Sequence, residues 1–337
     1  MGLLFMDGFD YYSSSAPTSL NWIGTVSIDY ATAGRFGGRC LKTQGRTHRT
    51  LSTAKSSLSL GFAFWSNVDF TGFSGVQRQI VSFRNTAGGT TQCSLCISTT
   101  NKFNFCYSSG ESSTPTILDI TSTATFVNGV WTYIGIELVR DSSSGSFNVY
   151  QDGVKILGKT GVNTGGSDIG GIGLECNSGG GYALFDDVYC VDGSTWLGEC
   201  RVSTARPAVD TAQKDWVPNS GSTNYSRVNE ATVDGDTSYV SASAVDAKDL
   251  YEISTLGYTP NDIFGIQNVI VARKDDAATR TIAPVTLSGS TETVGTSKAM
   301  STSYTTALQL LDQNPDTSAP WTPSDVADLQ VGMKVTA

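Results

Sequence analysis

The chain has 337 residues, room for two or three domains with hydrophobic cores of their own. Charged residues make up 16%, below the roughly 25% usual for globular chains, and 22 basic against 31 acidic residues leave a net charge of -9 that repels phosphate backbones and anionic lipid. Nucleic acid and membrane surfaces are therefore not expected partners, and the single histidine, His48, excludes any centre that needs two imidazoles from one chain.

At the N-terminus, Asp7 interrupts the apolar run Leu3-Leu-Phe-Met6 and no basic segment precedes it, so the start reads as neither a secretory signal nor an anchor. No window approaches the ~18 apolar residues of a membrane helix, and synthesis in a cytosol is the expectation. Short alternating or aromatic runs follow at Leu60–Phe70, Gln79–Phe83, Cys93–Ile97 and Phe103–Tyr107, each bounded by Gly, Ser, Thr or Asn. From Trp131 to Arg140, Thr132, Ile134, Ile136 and Leu138 take one side, the period-two pattern of a strand. Phe147 and Val149 resume the alternation up to Asp152-Gly153, a strong hairpin signal, with Val154–Leu157 as the return strand. Ile172–Cys176 and Leu184–Val191 complete this set. Without a sustained 3.6-residue period, the pattern predicts an all-β sandwich.

Past Val202 the composition changes. Ser203–Ala208 reads as a linker, and a polar stretch rich in Asn, Ser and Asp runs to about Ala247. A second unit is then expected, with strand candidates at Leu250–Ile253, Ile266–Ala272, Thr281–Leu287 and Leu329–Val335, and Tyr304–Leu311 as a strand or short helix. Ser324, after Pro323, is a favoured N-cap for a single helical turn. The domain reading is 1–202 for the first unit and 203–337 for a smaller β domain.

Gly153-Val-Lys-Ile-Leu-Gly-Lys-Thr160 matches the phosphate-loop pattern G-x-x-x-x-G-K-[ST]. That loop works by aiming backbone N–H groups and a following helix N-terminus at phosphates. The next residues, Gly161 to Gly171, are too rich in glycine to propagate a helix, so a β-hairpin without nucleotide is predicted. Glycoside hydrolysis needs two carboxylates about 5–9 Å apart across a cleft. No Glu-x-Asp pair occurs, and Asp186 and Asp187, being adjacent in a strand, are expected on opposite faces. His48 has cations at Arg46 and Arg49 that lower its pKa, but no G-x-S-x-G nucleophile accompanies it, and it reads as a surface histidine. Asp234-Gly-Asp-Thr-Ser238 and Asp186-Asp187 could offer some oxygens to calcium, yet neither has the twelve-residue loop, so a solvated turn and no cofactor are expected. Cys93-x2-Cys96 with Cys106 looks like a zinc site short of its fourth ligand, and reads as small buried hydrophobes.

The N-terminal unit resembles a laminin-G or concanavalin-A-like jelly roll through Phe5-Met-Asp-Gly-Phe9, Gly34-Arg-Phe-Gly-Gly-Arg-Cys-Leu41, Trp131–Leu138 leading into Phe147–Val154, and Leu184–Asp192. In that family the first and last strands lie together. The C-terminal part, through Trp196–Val202, Asp234–Val240, Lys248–Tyr251, Ala272–Arg280, Asn314–Trp321 and Leu329–Gly332, resembles a group of tailed-bacteriophage virion proteins.

These resemblances imply an all-β, concanavalin-A-like jelly-roll sandwich followed by a smaller β-sandwich-like domain. They also imply a non-enzymatic structural component on the outside of a virion, in head decoration, neck or collar, or tail, made in host cytoplasm. Its implied partners are other virion proteins and further copies of itself. A lectin-like module for host polysaccharide is the alternative, favoured by loop aromatics such as Trp216 or Tyr225, whose faces would stack on sugars. A polysaccharide hydrolase is disfavoured by the missing carboxylate pair. The seven cysteines, Cys40, Cys93, Cys96, Cys106, Cys176, Cys190 and Cys200, are odd in number, so at least one thiol stays unpaired within a chain. Synthesis in a reducing cytosol and release into an oxidising medium leave two expectations. One is buried thiols; the other is a disulfide between subunits, with a Cys190–Cys200 bridge also open.

Overall fold

The computed structural model describes residues 2–12, 22–29, 34–72, 78–108, 116–176 and 180–337. Strands hold 53% of the residues and helix 3%, so the fold is all-β with helix confined to single turns. The chain divides into two compact units, Met1–Phe9 with Ser14–Val202 and Asp10–Ser13 with Ser203–Ala337.

Among the described residues, thirteen strands build the first unit: β1 (Leu3–Asp7), β2 (Trp22–Asp29), β3 (Cys40–Lys55), β4 (Ser57–Ser66), β5 (Arg78–Arg84), β6 (Thr91–Ile97), β7 (Lys102–Tyr107), β8 (Thr116–Thr125), β9 (Thr132–Val139), β10 (Gly145–Gln151), β11 (Val154–Val162), β12 (Ile169–Glu175) and β13 (Ala183–Asp192). They hydrogen-bond as one antiparallel sheet in the order β11-β10-β9-β4-β13-β3-β12-β5-β6-β7-β8, with β1 added on β13 and β2 on β3. The sheet folds over on itself. Phe105 of β7 stacks on Phe147 of β10 with ring centroids 4.0 Å apart, although the two strands lie towards opposite ends of that order. Phe62 and Phe64 of β4 meet Phe185 of β13 at 5.8 and 5.3 Å in the same interior. Each such ring stabilises by about 1.5–3 kcal/mol through burial. Closure is completed by side chains, since Gly158 N donates to Asp119 Oδ2 at 3.2 Å and Lys159 Nζ to the Leu118 carbonyl at 2.6 Å, joining end strands β11 and β8.

The pairing of β1 with β13, Phe5 opposite Cys190, puts first and last strands of the unit side by side, as the jelly-roll resemblance implies. The phosphate-loop match is the β10–β11 hairpin: Asp152 and Gly153 take φ of 47° and 82°, the left-handed pair that a tight two-residue turn requires. Its return strand runs beyond the expected Leu157 to Val162.

In the second unit, β14 (Pro207–Lys214), β17 (Lys248–Ile253), β23 (Gln330–Val335), β19 (Thr281–Ser288) and β20 (Thr291–Val294) form a sheet in that order, with β21 (Lys298–Ala299) also on β19. A ribbon of β18 (Ile266–Ala272) and β22 (Thr305–Leu311) lies against it, and β15 (Val217–Pro218) pairs with β16 (Val240–Ser241). Asn268 on the ribbon donates to the carbonyls of Val285 and Gly332, and Thr286 Oγ1 donates to Gln309 Oε1, so polar side chains stitch the two layers. Tyr304–Leu311 thus resolves as strand. Two sequence expectations need correction. The polar stretch before Ala247 is not a prelude to the unit, because β14 pairs with β17 inside its sheet. The single helical turn, α1 (Pro323–Ala327), is capped by Thr322 rather than Ser324, in a reciprocal capping box with Asp325 and with Pro323 at the first helical position.

Candidate functional site

Three clusters of charge in the first unit, each built by strand register, are the places where chemistry concentrates. The first is interior. Asp7, fully buried at the end of β1, accepts from Trp22 Nε1 at 2.8 Å and from Phe9 N at 3.1 Å, and pairs with Arg49 at 3.3 Å. The Arg49 guanidinium lies over the Phe5 ring at 4.3 Å. A charge pair taken out of water stays stable when its remaining hydrogen-bonding capacity is filled, and here two further donors fill the carboxylate.

The second cluster spans β3, β12 and β5. Arg46 and His48 sit opposite Glu175 and Gly173 of β12, and Gly173 sits opposite Ser82 of β5. Glu175, fully buried, accepts from Ser82 Oγ and from Arg46 Nε at 2.9 Å and pairs with Arg84 at 3.6 Å. His48 is half-buried rather than a surface residue, and its Nδ1 is buried without a hydrogen bond. Its pKa is lowered by burial first and then by Arg84, with Arg46 adding to the effect and Glu175 opposing it. The imidazole is therefore neutral at neutral pH. Sequence reasoning gave the direction from Arg46 and Arg49, but burial and Arg84 dominate, and Arg84 is a neighbour that only sheet register supplies.

The third cluster overturns an expectation about the carboxylates. Between Asp186 and Tyr189 the pairing of β13 with β4 shifts register, and Asp187 takes a left-handed backbone with φ of 51°. This bulge lets both carboxylates serve one residue instead of pointing apart. Asp186 Oδ2 accepts from Arg35 N at 2.8 Å, and the Asp187 carboxylate lies 3.9 Å from the Arg35 guanidinium, which also pairs with Glu199. Arg35 sits over the Tyr133 ring at 4.6 Å. Asp187 Oδ1 accepts from Val202 N at 2.8 Å, and Tyr133 donates to the Asp187 carbonyl at 3.2 Å.

Around this third cluster the segment after β13 lies back over the outer face of the sheet. Trp196 and Leu197 pack with Tyr133, Tyr189 and Ala63. Gly61 and Gly135, opposite each other on β4 and β9, make the groove, because a Cβ on Gly61 would lie 2.3 Å from the Tyr189 ring and one on Gly135 2.2 Å from Trp196. Trp196 stacks on Tyr150 at 4.4 Å, and its backbone N–H donates to Glu137 at 3.0 Å. Tyr189 donates to the Gly198 carbonyl and accepts from Leu197 N. Burial pushes the Tyr133 and Tyr189 hydroxyls up, and the Cys200 thiol up to about 12. All three stay protonated.

The cysteines form no disulfide among the described residues. Cys40, Cys93, Cys96, Cys106, Cys176 and Cys190 are buried, and Cys200 is half-buried. Cys200 packs with Tyr189 on the outer face, whereas Cys190 alternates to the face where Arg49 lies. Cys93 and Cys96 point to opposite faces of β6, and no group of three His, Cys, Asp or Glu side chains that could hold a metal ion occurs among the described residues. In the second unit, the Asp234–Ser238 segment is held by its own chain. Asp236 accepts from Arg273 at 3.0 Å and Tyr304 at 2.7 Å, and Ser238 donates to Asp234 and Glu230. Trp216 is no exposed platform. It packs on Ile282, Met300 and Ala307 and donates from Nε1 to the Ala247 carbonyl. Tyr225 is half-buried in a short 3-10 turn.

No known family model matches the sequence, and no curated protein matches it. Among solved structures, the chain is similar to domain 4 of AbnA, a GH43 extracellular arabinanase from Geobacillus stearothermophilus, in complex with arabinotriose: 13% identity, TM-score 0.35, covering 51% of this chain and 77% of that one. It is similar to the carbohydrate-binding module CBM66 from Bacillus subtilis at 12% identity and TM-score 0.32, covering 50% of this chain and 93% of that one. The Emp46p carbohydrate recognition domain, in metal-free form, gives 10% identity and TM-score 0.37, covering 57% and 97%. At such identities the likeness concerns β architecture and transfers neither ligand nor activity.

Proposed function

We propose that this chain is a non-enzymatic structural protein on the outside of a tailed-phage particle, held there by other virion proteins and by further copies of itself. The observation that carries this reading is the use made of charge in the sandwich. Asp7, Glu175 and Asp187 each close on a guanidinium, from Arg49, from Arg46 and Arg84, and from Arg35. Charge there braces strands far apart in sequence. Among the described residues, the carboxyls whose pKa departs from the ordinary value, Asp69, Asp141, Asp210, Asp236, Asp276, Asp316 and Asp325, all move down. A general acid for glycoside cleavage needs the opposite shift. The proposed location rests on the resemblance of the C-terminal run to virion proteins. Electron cryomicroscopy of intact particles is the test. Density for the two units repeated around an axis on the particle exterior supports the reading, and purified infectious particles without the chain, by mass spectrometry, overturn it.

A second reading, binding of a host polysaccharide, is favoured by the half-exposed guanidinium of Arg46, two residues from the half-buried His48 on the same face of β3. Binding on a glycan array that His48→Ala removes would support it, and an array without signal from the full chain would reject it.

A further inference from the structure

Antiparallel pairing of β6 with β7 sets Ser94 opposite Cys106 and Cys96 opposite Asn104. Ser94, Cys96 and Cys106 therefore share one face of the sheet, with the two cysteines on the diagonal between neighbouring strands. Hydrogen bonding from Cys96 holds the Cys106 thiol below its ordinary value, against the opposing effect of burial. Ser94 Oγ lies 3.5 Å from Cys96 Sγ on the same side. Both cysteines are fully buried. Cys93 belongs to the opposite face of β6, and its thiol is pushed up chiefly by burial, with Cys106 adding to the rise.

We infer that Cys96 and Cys106 are a redox pair that closes to a reversible intrachain disulfide when the protein meets hydroperoxide. Cys106 is the nucleophile and Cys96 the resolving thiol. The Cys106 thiolate attacks one oxygen of hydrogen peroxide and the O–O bond breaks, giving the sulfenic acid directly, while the departing hydroxide takes up the proton that Cys106 released and becomes water. Cys96 sulfur then attacks the Cys106 sulfur, the S–O bond breaks, and the hydroxyl departs with the Cys96 proton as water. The two thiols lose two electrons and two protons, and the peroxide becomes two waters. Small size matters, because a buried pair admits peroxide far more readily than a bulky disulfide. Diagonal positions lie about 7–8 Å apart at Cα, while a bridge wants roughly 4.4–6.8 Å. The strands must draw together, so the bond reopens under mild reductant.

The test uses the full chain, treated with hydrogen peroxide, denatured, alkylated with iodoacetamide and digested with trypsin, which cuts after Arg84, Lys102 and Arg140. The expected product is peptide 85–102 joined to 103–140 through Cys96 and Cys106, two hydrogens lighter than the separate peptides and split again by dithiothreitol. Cys96→Ser should leave Cys106 as a sulfenic acid that dimedone traps, whereas Cys106→Ser should leave Cys96 alkylated as a thiol. Full alkylation of both cysteines in the oxidised wild-type chain overturns the inference, as does linkage of either one to a different cysteine. The wild-type measurement stands whether or not the variants fold.

Discussion

Substituting alanine for Trp196 asks how strongly the segment after β13 is seated in the Gly61–Gly135 groove. A fully buried Trp to Ala change costs about 3–5 kcal/mol. Trp196 keeps some exposure, so a loss of about 2–3 kcal/mol is expected, of which the stack on Tyr150 supplies ~0.5–1.5. Gly135→Ala perturbs the same contact from below, driving a methyl to within 2.2 Å of the indole, and overpacking of this kind costs about 1–3 kcal/mol. Combined with Trp196→Ala, that methyl enters vacated space and its cost falls close to zero, a coupling of about 1–3 kcal/mol between the two positions. Urea unfolding of the full chain by circular dichroism reads the stabilities, and hydrogen exchange of β4 and β9 amides assigns the transition to the first unit. If Gly135→Ala costs the same with and without Trp196, the groove does not work as described.

Asp7→Ala leaves the Arg49 charge buried beside Trp22 and should lower stability by about 3–5 kcal/mol; a loss below about 1 kcal/mol in the same urea assay would contradict the interior ion pair. Asp141 is held at about 2 by hydrogen bonds from Ser144 and Ser143. As a depressed acid it stabilises the fold above its unfolded pKa, roughly 3.9, and that contribution fades as pH falls through about 2. Its carboxyl carbon should titrate near 2 by NMR, and a midpoint near 4 would refute the turn geometry. Lys159→Ala removes one exposed bond to the Leu118 carbonyl and should change stability by no more than about 0.5 kcal/mol, with calorimetry detecting no ATP binding in either protein. Thr322→Ala opens the capping box of α1 and should cost about 1 kcal/mol, while Ser324→Ala should cost almost nothing.

The strands that could be read in advance are those whose inward positions are apolar. In β9, Thr132, Ile134, Ile136 and Leu138 alternate with more polar neighbours, and Asp152-Gly153 marks the next turn without tertiary information. The longest strand, β3, escaped because its buried positions include Thr43, Thr47 and Arg49, a pattern that reads as surface until Asp7 and Trp22 are placed against it. The sites failed for a related reason. Alternation predicts that Asp186 and Asp187 diverge, and a bulge cancels it. Glu175, Arg84 and His48 come together through register between strands that are separate in sequence, which single-strand patterning does not encode. The cap of α1 was legible in principle, since proline favours the first helical position and so marks the preceding Thr322 as the cap.

The pairing of β1 with β13 has a further effect during synthesis. Phe5 leaves the ribosome about 185 residues before its partner Cys190, a wait of roughly 10–40 s at ~5–20 residues per second. Through that interval β1 has no strand to pair with. An unpaired edge on a crowded polysome is open to the same edge on a neighbouring nascent chain. Productive yield should therefore depend on how long β1 is shielded, so slowing elongation late in the message should lower the soluble fraction, and supplying a chaperone that holds extended segments should restore it.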